Sequence, residues 1–223
     1  MKEKNKFILP TIFCDCDNPK IINLSNKITA DCKDNREKAI KLFLFVKNNY
    51  PYAFGRWDFK ASETISLKSG MCTTKSCLLV ALFRASKIPA GFKVIKIKGR
   101  EVFAKFAIFP FLKNKISENS IHICVSVNLD NQWIDIDPSL DDDLLKGLVL
   151  IGYDPSILRV WDGKSDLMNF FTPNELIEVG ELVDSIDQYH LKKRKTAKGY
   201  FLLLSNLIIR CYRFIGRFNK IKL

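Results

Sequence analysis

The stretch Ser69-Gly70-Met71-Cys72-Thr73-Thr74-Lys75-Ser76-Cys77-Leu78-Leu79-Val80-Ala81-Leu82-Phe83-Arg84-Ala85-Ser86-Lys87-Ile88-Pro89-Ala90 decides the fold. It reads as a glycine turn, a cysteine in the first turn of a helix, and then a nearly continuous apolar run. The run stops before Ile88-Pro89, because the residue preceding a proline is pushed out of the helical region. A helix that is apolar on almost every side lies inside a core rather than on a surface. Its first residue therefore stands on a rigid support. Cys72 sits where unpaired backbone N–H groups and the positive end of the helix dipole converge, with Lys68 and Lys75 close in sequence. Each of these favours thiolate over thiol, which makes Cys72 a candidate nucleophile. Cys77, inside the apolar run, reads as a small buried hydrophobe.

Upstream, Asp34 is an N-cap, with Glu37 three residues later, for a helix over Asn35–Asn48. Ala39, Leu42, Phe43 and Val46 recur at helical spacing and form its core face. Asn49-Tyr50-Pro51-Tyr52 ends it, and Phe54 to Ser66 reads as an irregular, aromatic-rich loop. Residues 1–30 show no firm periodicity. Downstream, Phe92–Lys98 alternates like a strand, and a second apolar run extends from Val102 to Phe111. His122–Asn128 is a strand, Asp130-Asn131 a turn, and Trp133–Asp137 the returning strand. Asp141-Asp142-Asp143 opens a helix and reads as its solvated first turn. Residues 150–190 read as turns and short amphipathic helices.

The hairpin makes a geometric prediction. With a two-residue turn at Asp130-Asn131, positions whose numbers add to 261 face one another. His122 then faces Ser139 and Asp137 faces Cys124, so Asp137 is the diagonal neighbour of His122 on the same face. Asp135 shares that face one step further away. A carboxylate beside His122 fixes the imidazole tautomer and stabilises the imidazolium. If the hairpin packs against the start of the cysteine helix, His122 reaches Cys72.

In these residues the chain resembles the transglutaminase-like superfamily of papain-related cysteine enzymes. The likeness lies in Gly70-Met71-Cys72 with Leu78-Leu79 and Arg84–Ala90, then His122 opening a strand, Leu129–Trp133, and Asp137-Pro138-Ser139. The lead-in Asn48-Asn49-Tyr50-Pro51-Tyr52 fits as well. The likeness covers residues 35–145. It implies an α+β, papain-like core in which a cysteine-bearing helix packs on an antiparallel sheet. It also implies Cys72 as nucleophile, His122 as general base and acid, and Asp137 as the orienting residue. The reaction implied is attack on an amide or ester carbonyl, a thioester acyl-enzyme, and release to water or an amine. The oxyanion donors implied are the Cys72 backbone N–H and, as a side-chain candidate, Trp57. One departure is Ile123, where the family often has an aromatic residue, which would alter the lining of the pocket.

Composition narrows the alternatives. The seven cysteines, an odd number, read as reduced thiols, and the start of the chain lacks the pattern of a signal peptide, so the expected compartment is the cytoplasm. Cys14, Cys16 and Cys32 match no standard zinc spacing, and His122 and His190 are the chain's two histidines. Asp135, Asp137 and Asp141 lack the histidine cluster of a metal-dependent hydrolase. No cofactor or metal is expected.

The net charge of +12 is concentrated in the tail. Residues 1–191 carry 26 basic and 24 acidic side chains; beyond Asp187 there is no acidic residue and ten basic ones. Within 199–223, Asn206, Arg210, Arg213, Arg217 and Lys220 line one helical stripe and apolar residues fill the rest. The apolar run is too short and interrupted to span a bilayer. The expected organisation is a catalytic domain over 1–190 and a basic amphipathic tail over 191–223. The tail folds back on the domain, or meets an anionic membrane surface or a partner protein; nucleic acid is not the expected partner. The function expected is a thiol-dependent hydrolase or peptidase acting on an amide of a protein or peptide. The alternatives are a protein-glutamine transglutaminase and a catalytically silent scaffold of the same fold.

Overall fold

A computed structural model describes residues 6–104, 106, 113–114, 116–191 and 199–218. The chain starts with helices. In α1 (Pro19–Thr29) the Asn18 side chain accepts from the Lys20 N–H at 3.0 Å and Pro19 occupies the first turn. This Asn-Pro start is a helix signal that the aperiodic reading of residues 1–30 passed over. Helix α2 (Asn35–Asn49) has the expected start: Asp34 accepts from the Glu37 N–H at 2.8 Å, and Glu37 accepts from the Lys33 N–H at 2.9 Å. One turn, α3 (Ala61–Thr64), interrupts the irregular aromatic stretch.

The cysteine helix, α4 (Cys72–Ala85), is buried from Cys72 through Arg84. Its end is closed by the Ile88 N–H donating to the Phe83 carbonyl at 2.9 Å, with Lys87 in the left-handed region at φ 63°. Arg84 is buried there without a carboxylate partner in its hydrogen bonds. Its guanidinium instead donates to the carbonyls of Ala90, Leu9 and Asp184. It thus ties the helix end to the N-terminal segment and to the first and last strands.

The chain continues through β1 (Ala90–Ile97), α5 (Gly99–Ala104), β2 (Ser120–Leu129), β3 (Gln132–Ile136), α6 (Asp142–Leu150), β4 (Leu176–Val183), α7 (Asp187–Leu191) and α8 (Gly199–Arg217). Helix α5 takes up the start of the apolar run expected from Val102; most of that run lies outside the described residues. Among the described residues the strands form one antiparallel sheet in the order β3-β2-β1-β4. Asp130 and Asn131 have φ of 51° and 67°, the two left-handed positions of a type I′ hairpin turn. The pairing runs from Leu129↔Gln132 to Val125↔Ile136, the register read from the sequence. Strand β4, which pairs with β1 at the sheet edge, corrects the expectation of turns and short helices alone over 150–190.

The sheet has a core on each face. On one, Leu78, Leu79 and Phe83 of α4 pack with Phe92, Ile123, Val125 and Val127, and α2 adds Leu42, Phe43 and Val46. The Ser76 hydroxyl donates to the Ile123 carbonyl at 3.1 Å and Ser25 of α1 to the Leu82 carbonyl at 3.0 Å. Each fully buried Leu, Val, Ile or Phe contributes about 1.5–3 kcal/mol, so the position of α4 is strongly determined. The other core joins Tyr52, Ile95, Ile97, Cys124, Phe170, Leu144, Leu148 and Ile209, bringing in α6 and α8. These two helices cross with their backbones nearly touching: a Cβ on Gly216 would lie 1.9 Å from the Asp143 carbonyl oxygen, and one on Gly147 would lie 2.0 Å from that of Tyr212. The α+β architecture expected of the cysteine-bearing helix and antiparallel sheet is the one observed.

Candidate active site

Cys72 is the first residue of α4, and what precedes it is built to hold it there. The Met71 N–H donates to the Thr74 hydroxyl at 3.0 Å, satisfying a donor at the helix start. Gly70 forms a parallel bridge with Tyr52: its N–H donates to the Pro51 carbonyl and its carbonyl accepts from the Ala53 N–H, both at 3.1 Å. A Cβ on Gly70 would lie 2.8 Å from Cγ of Lys75 and 3.0 Å from Oγ1 of Thr74, so glycine lets the strand-like lead-in press against the helix. Lys75 is wholly buried and its ammonium donates to the carbonyls of Lys47 and Ser139 at 2.9 and 2.8 Å. Burial draws its pKa down to about 7 against the opposing pull of Asp141 and Asp137. Lys75 thus pins α4 to α2 and to the segment following Asp137.

His122 and Asp137 meet as the hairpin geometry requires. His122 Nε2–H donates to Asp137 Oδ2 at 2.8 Å, with both side chains almost fully enclosed. Asp137 Oδ1 accepts from the Ser139 N–H at 2.9 Å, and the Asp137 N–H donates to the Leu167 carbonyl at 2.9 Å. An ionised carboxylate has no proton to give, so the Nε2 position carries one. Nδ1 is buried and makes no regular hydrogen bond among the described residues. Burial disfavours the imidazolium, but the charge of Asp137, that of Cys72 and the hydrogen bond to Asp137 outweigh it, raising the His122 pKa to about 10. The Asp137 carboxyl responds in kind: burial pushes it up, and His122 and Ser139 bring it below the ordinary carboxylate range.

Aromatic rings fix the imidazole plane. Phe170 stacks on it with centroids 4.2 Å apart and planes 14° apart, and the Phe171 ring stands edge-on at 5.8 Å. Sequence reading missed both, since nothing local marks two phenylalanines in a turn-rich segment as partners of a distant strand. Tyr52 is buried beside them. Burial, and then the negative charges of Cys72 and Asp137, push its phenol well above its usual pKa, so it stays protonated.

Cys72 borders a cleft of about 640 Å³. Tyr52, Phe54, Met71 and Phe103 give it an apolar, aromatic wall, and Lys96 and Glu178 supply charge at the strand side. Trp57 is not among the lining residues; its ring lies against His190 at 5.7 Å. Ile123 faces the α4 core rather than the cleft, so the departure from the family pattern leaves the cleft unaltered. Cys77 also has a histidine neighbour, with Sγ 3.9 Å from His190 Nε2. It is wholly enclosed, and burial pushes its thiol pKa up. Asp135 and Asp141 belong elsewhere. Asp135 pairs with Lys93 at 2.6 Å and accepts from Ser126. Asp141, expected in a solvated turn, is instead buried, capping α6 through the Leu144 N–H and paired with Arg213. Cys14 and Cys16 are buried free thiols, and no metal-holding group of three or more His, Cys, Asp or Glu occurs among the described residues.

The loop carrying Tyr52 and Phe54 is held from behind by α8. Arg213 donates to both oxygens of Asp141 at 2.9 and 2.8 Å and to the Tyr52 carbonyl at 2.7 Å; Asp141 in turn accepts from the Tyr52 N–H at 3.0 Å. The Asn206 amide accepts from the Phe54 N–H and donates to its carbonyl, both at 2.8 Å.

Comparison with known proteins agrees with this arrangement at the level of family. The family model described as the transglutaminase-like superfamily matches residues 22–138, which span the lead-in helix, the cysteine helix and the hairpin. No curated protein matches the chain. Among solved structures, a candidate cysteine protease from Cytophaga hutchinsonii is similar at 22% identity and a TM-score of 0.49. The similarity covers 62% of this chain and 43% of that one, so the chain spans less than half the length of that protein.

Proposed function

Because the chain belongs to the transglutaminase-like superfamily, we propose that it is a thiol-dependent acyl-transfer enzyme, with Cys72 as nucleophile, His122 as proton carrier and Asp137 as the group that orients the imidazole. The observation that carries the reading is the buried His122–Asp137 pair, whose Nδ1 is left unbonded and whose proton affinity is raised by Asp137 and by the cysteine at the start of α4. The reactive form of the site carries the proton on the imidazole and the negative charge on sulfur. The Cys72 thiolate attacks the carbonyl carbon of an amide in the cleft, forming a C–S bond while the carbonyl electrons move to oxygen. Collapse of that intermediate expels the amine, which takes the proton from His122 Nδ1 and leaves a thioester and a neutral imidazole. Water, deprotonated by Nδ1, then attacks the thioester; the acid departs and the thiolate–imidazolium pair is restored. Asp137 stays ionised throughout and stabilises the charged imidazole.

The aromatic wall of the cleft suits an apolar side chain next to the scissile amide of a protein or peptide, and release to water makes the enzyme a hydrolase. The test uses cysteines already present. Cys211 is exposed and Cys32 partly so, whereas Cys72 is 6% exposed. On accessibility alone Cys72 would react slower than either. Iodoacetamide at neutral pH, with the sites mapped by mass spectrometry, is expected to modify Cys72 at least about tenfold faster than Cys211, an advantage that His122→Ala removes. Equal or slower modification of Cys72 would overturn the assignment and leave a binding scaffold of this fold.

A further inference from the structure

The C-terminal helix leaves much of its apolar surface uncovered. A helix that completes its own core turns its apolar face inward and its charges to water. Helix α8 buries Ile208 and Ile209 but also turns part of its polar stripe to the protein, Asn206 to Phe54 and Arg213 to Asp141 and Tyr52, with Arg217 reaching Asp143 at the surface at 3.1 Å. On its other side Ser205, Ile208, Ile209 and Gly216 are buried, and Gly216 and Tyr212 meet α6 backbone to backbone. What remains faces outward: Tyr200, Leu203, Leu207, Phe214, Ile215 and Phe218 are all exposed, Leu203 to 75% and Phe218 to 72%. Contiguous apolar surface of this kind on a soluble chain marks an interaction site.

We propose that this face of α8 docks on an anionic lipid bilayer, lying in the plane of the interface. Charge selects this occupant. The chain beyond Asp187 has ten basic residues and no acidic one, and Arg210, in the polar stripe that borders the apolar face, is exposed. An apolar helix face set in a basic surround is the combination that partitions into the headgroup region of acidic membranes. A second copy of the chain is disfavoured by the same charges, because pairing two such faces would bring two basic segments together. Among the described residues no helix is long and apolar enough to cross a membrane, so the contact is superficial. Bound this way, the apolar side chains enter the acyl boundary while Arg213 and Arg217 keep their bonds to Asp141 and Asp143. Docking therefore needs no rearrangement of the helix.

The test is co-sedimentation of the full chain with vesicles of phosphatidylcholine, with and without about 30% phosphatidylserine. The chain is expected to bind the anionic vesicles, weakly or not at all the neutral ones, and less as salt rises. The double substitution Leu203→Asp with Phe214→Asp touches none of the contacts with α6 and should weaken binding at least about tenfold while leaving the melting temperature unchanged. Arg210→Glu, which keeps most of the apolar area, should reduce the preference for anionic over neutral vesicles. Failure of the unmodified chain to bind anionic vesicles, or binding that survives the double substitution, would overturn the proposal. So would a dimer seen by light scattering that the double substitution dissolves, since the face would then belong to a second copy. Neither readout depends on the activity of Cys72.

Discussion

At the scale of single residues, the pairing of His122 with Asp137 was the most legible part of the sequence, because the period of a strand says which side chains share a face. The contact between His122 and Asp137 follows from a two-residue turn counted outward. What fixes the pair was hidden, because the stacked Phe170 comes from a segment with no local signal, and only folding brings it to β2. The pair also sets a pH dependence. The folded pKa of His122, about 10, lies above its unfolded value of about 6.5. Its contribution to stability is therefore complete below about 6.5 and is lost as pH rises through about 10. Asp137, with a depressed folded pKa, contributes above its ordinary range and loses that contribution only in acid. Thermal melting from neutral to alkaline pH should accordingly show a decline that Asp137→Asn flattens, since the asparagine no longer holds the imidazolium. An equal decline in both proteins would show that the stability loss has another source.

Among secondary-structure elements, legibility followed burial. Helix α4 is enclosed on every side and its apolar run says so. Strand β4 is an edge strand with glutamates at Glu178 and Glu181, so its alternation is weak and it reads as a turn-rich segment. In α8 the amphipathic pattern was plain and its direction was not. Periodicity divides a helix into faces but does not say which one meets the protein; that was decided by buried Asp141, which sequence reading assigned to solvent. The pair of Asp141 with Arg213 is the element-scale prediction. Burial alone would raise the Asp141 pKa, and Arg213 first among its partners brings it below the ordinary range. Arg213→Ala leaves this carboxylate enclosed without its cation and should cost about 3–5 kcal/mol, read as a lower urea midpoint with unchanged m-value. Replacing both partners by apolar residues, Asp141→Leu with Arg213→Met, should recover part of that loss.

Over the whole molecule, the boundary drawn at residue 190 separates a tail by composition, while contacts bind its helix to the domain. Helix α8 supplies Ile209 to the second core and, through Arg213 and Asn206, hydrogen bonds to the Tyr52 carbonyl and to Phe54. Removing residues 192–223 should therefore do more than take away the proposed docking face. It should lower the melting temperature beyond the effect of Arg213→Ala and slow the alkylation of Cys72, although Cys72, His122 and Asp137 are all retained. A truncated chain with unchanged stability and an equally reactive Cys72 would show that the helix is an independent attachment.

The bonds from Asn206 and Arg213 to the cleft wall also bear on when a newly made chain becomes competent. Synthesis delivers Cys72, His122 and Asp137 well before α8, so a chain still emerging from the ribosome carries its reactive groups without the helix that braces the wall beside them. Competence then arrives with the same element that offers the outward apolar face. On the proposed function, the reactive thiol would be kept from neighbouring nascent chains until the helix with the proposed docking face has been made.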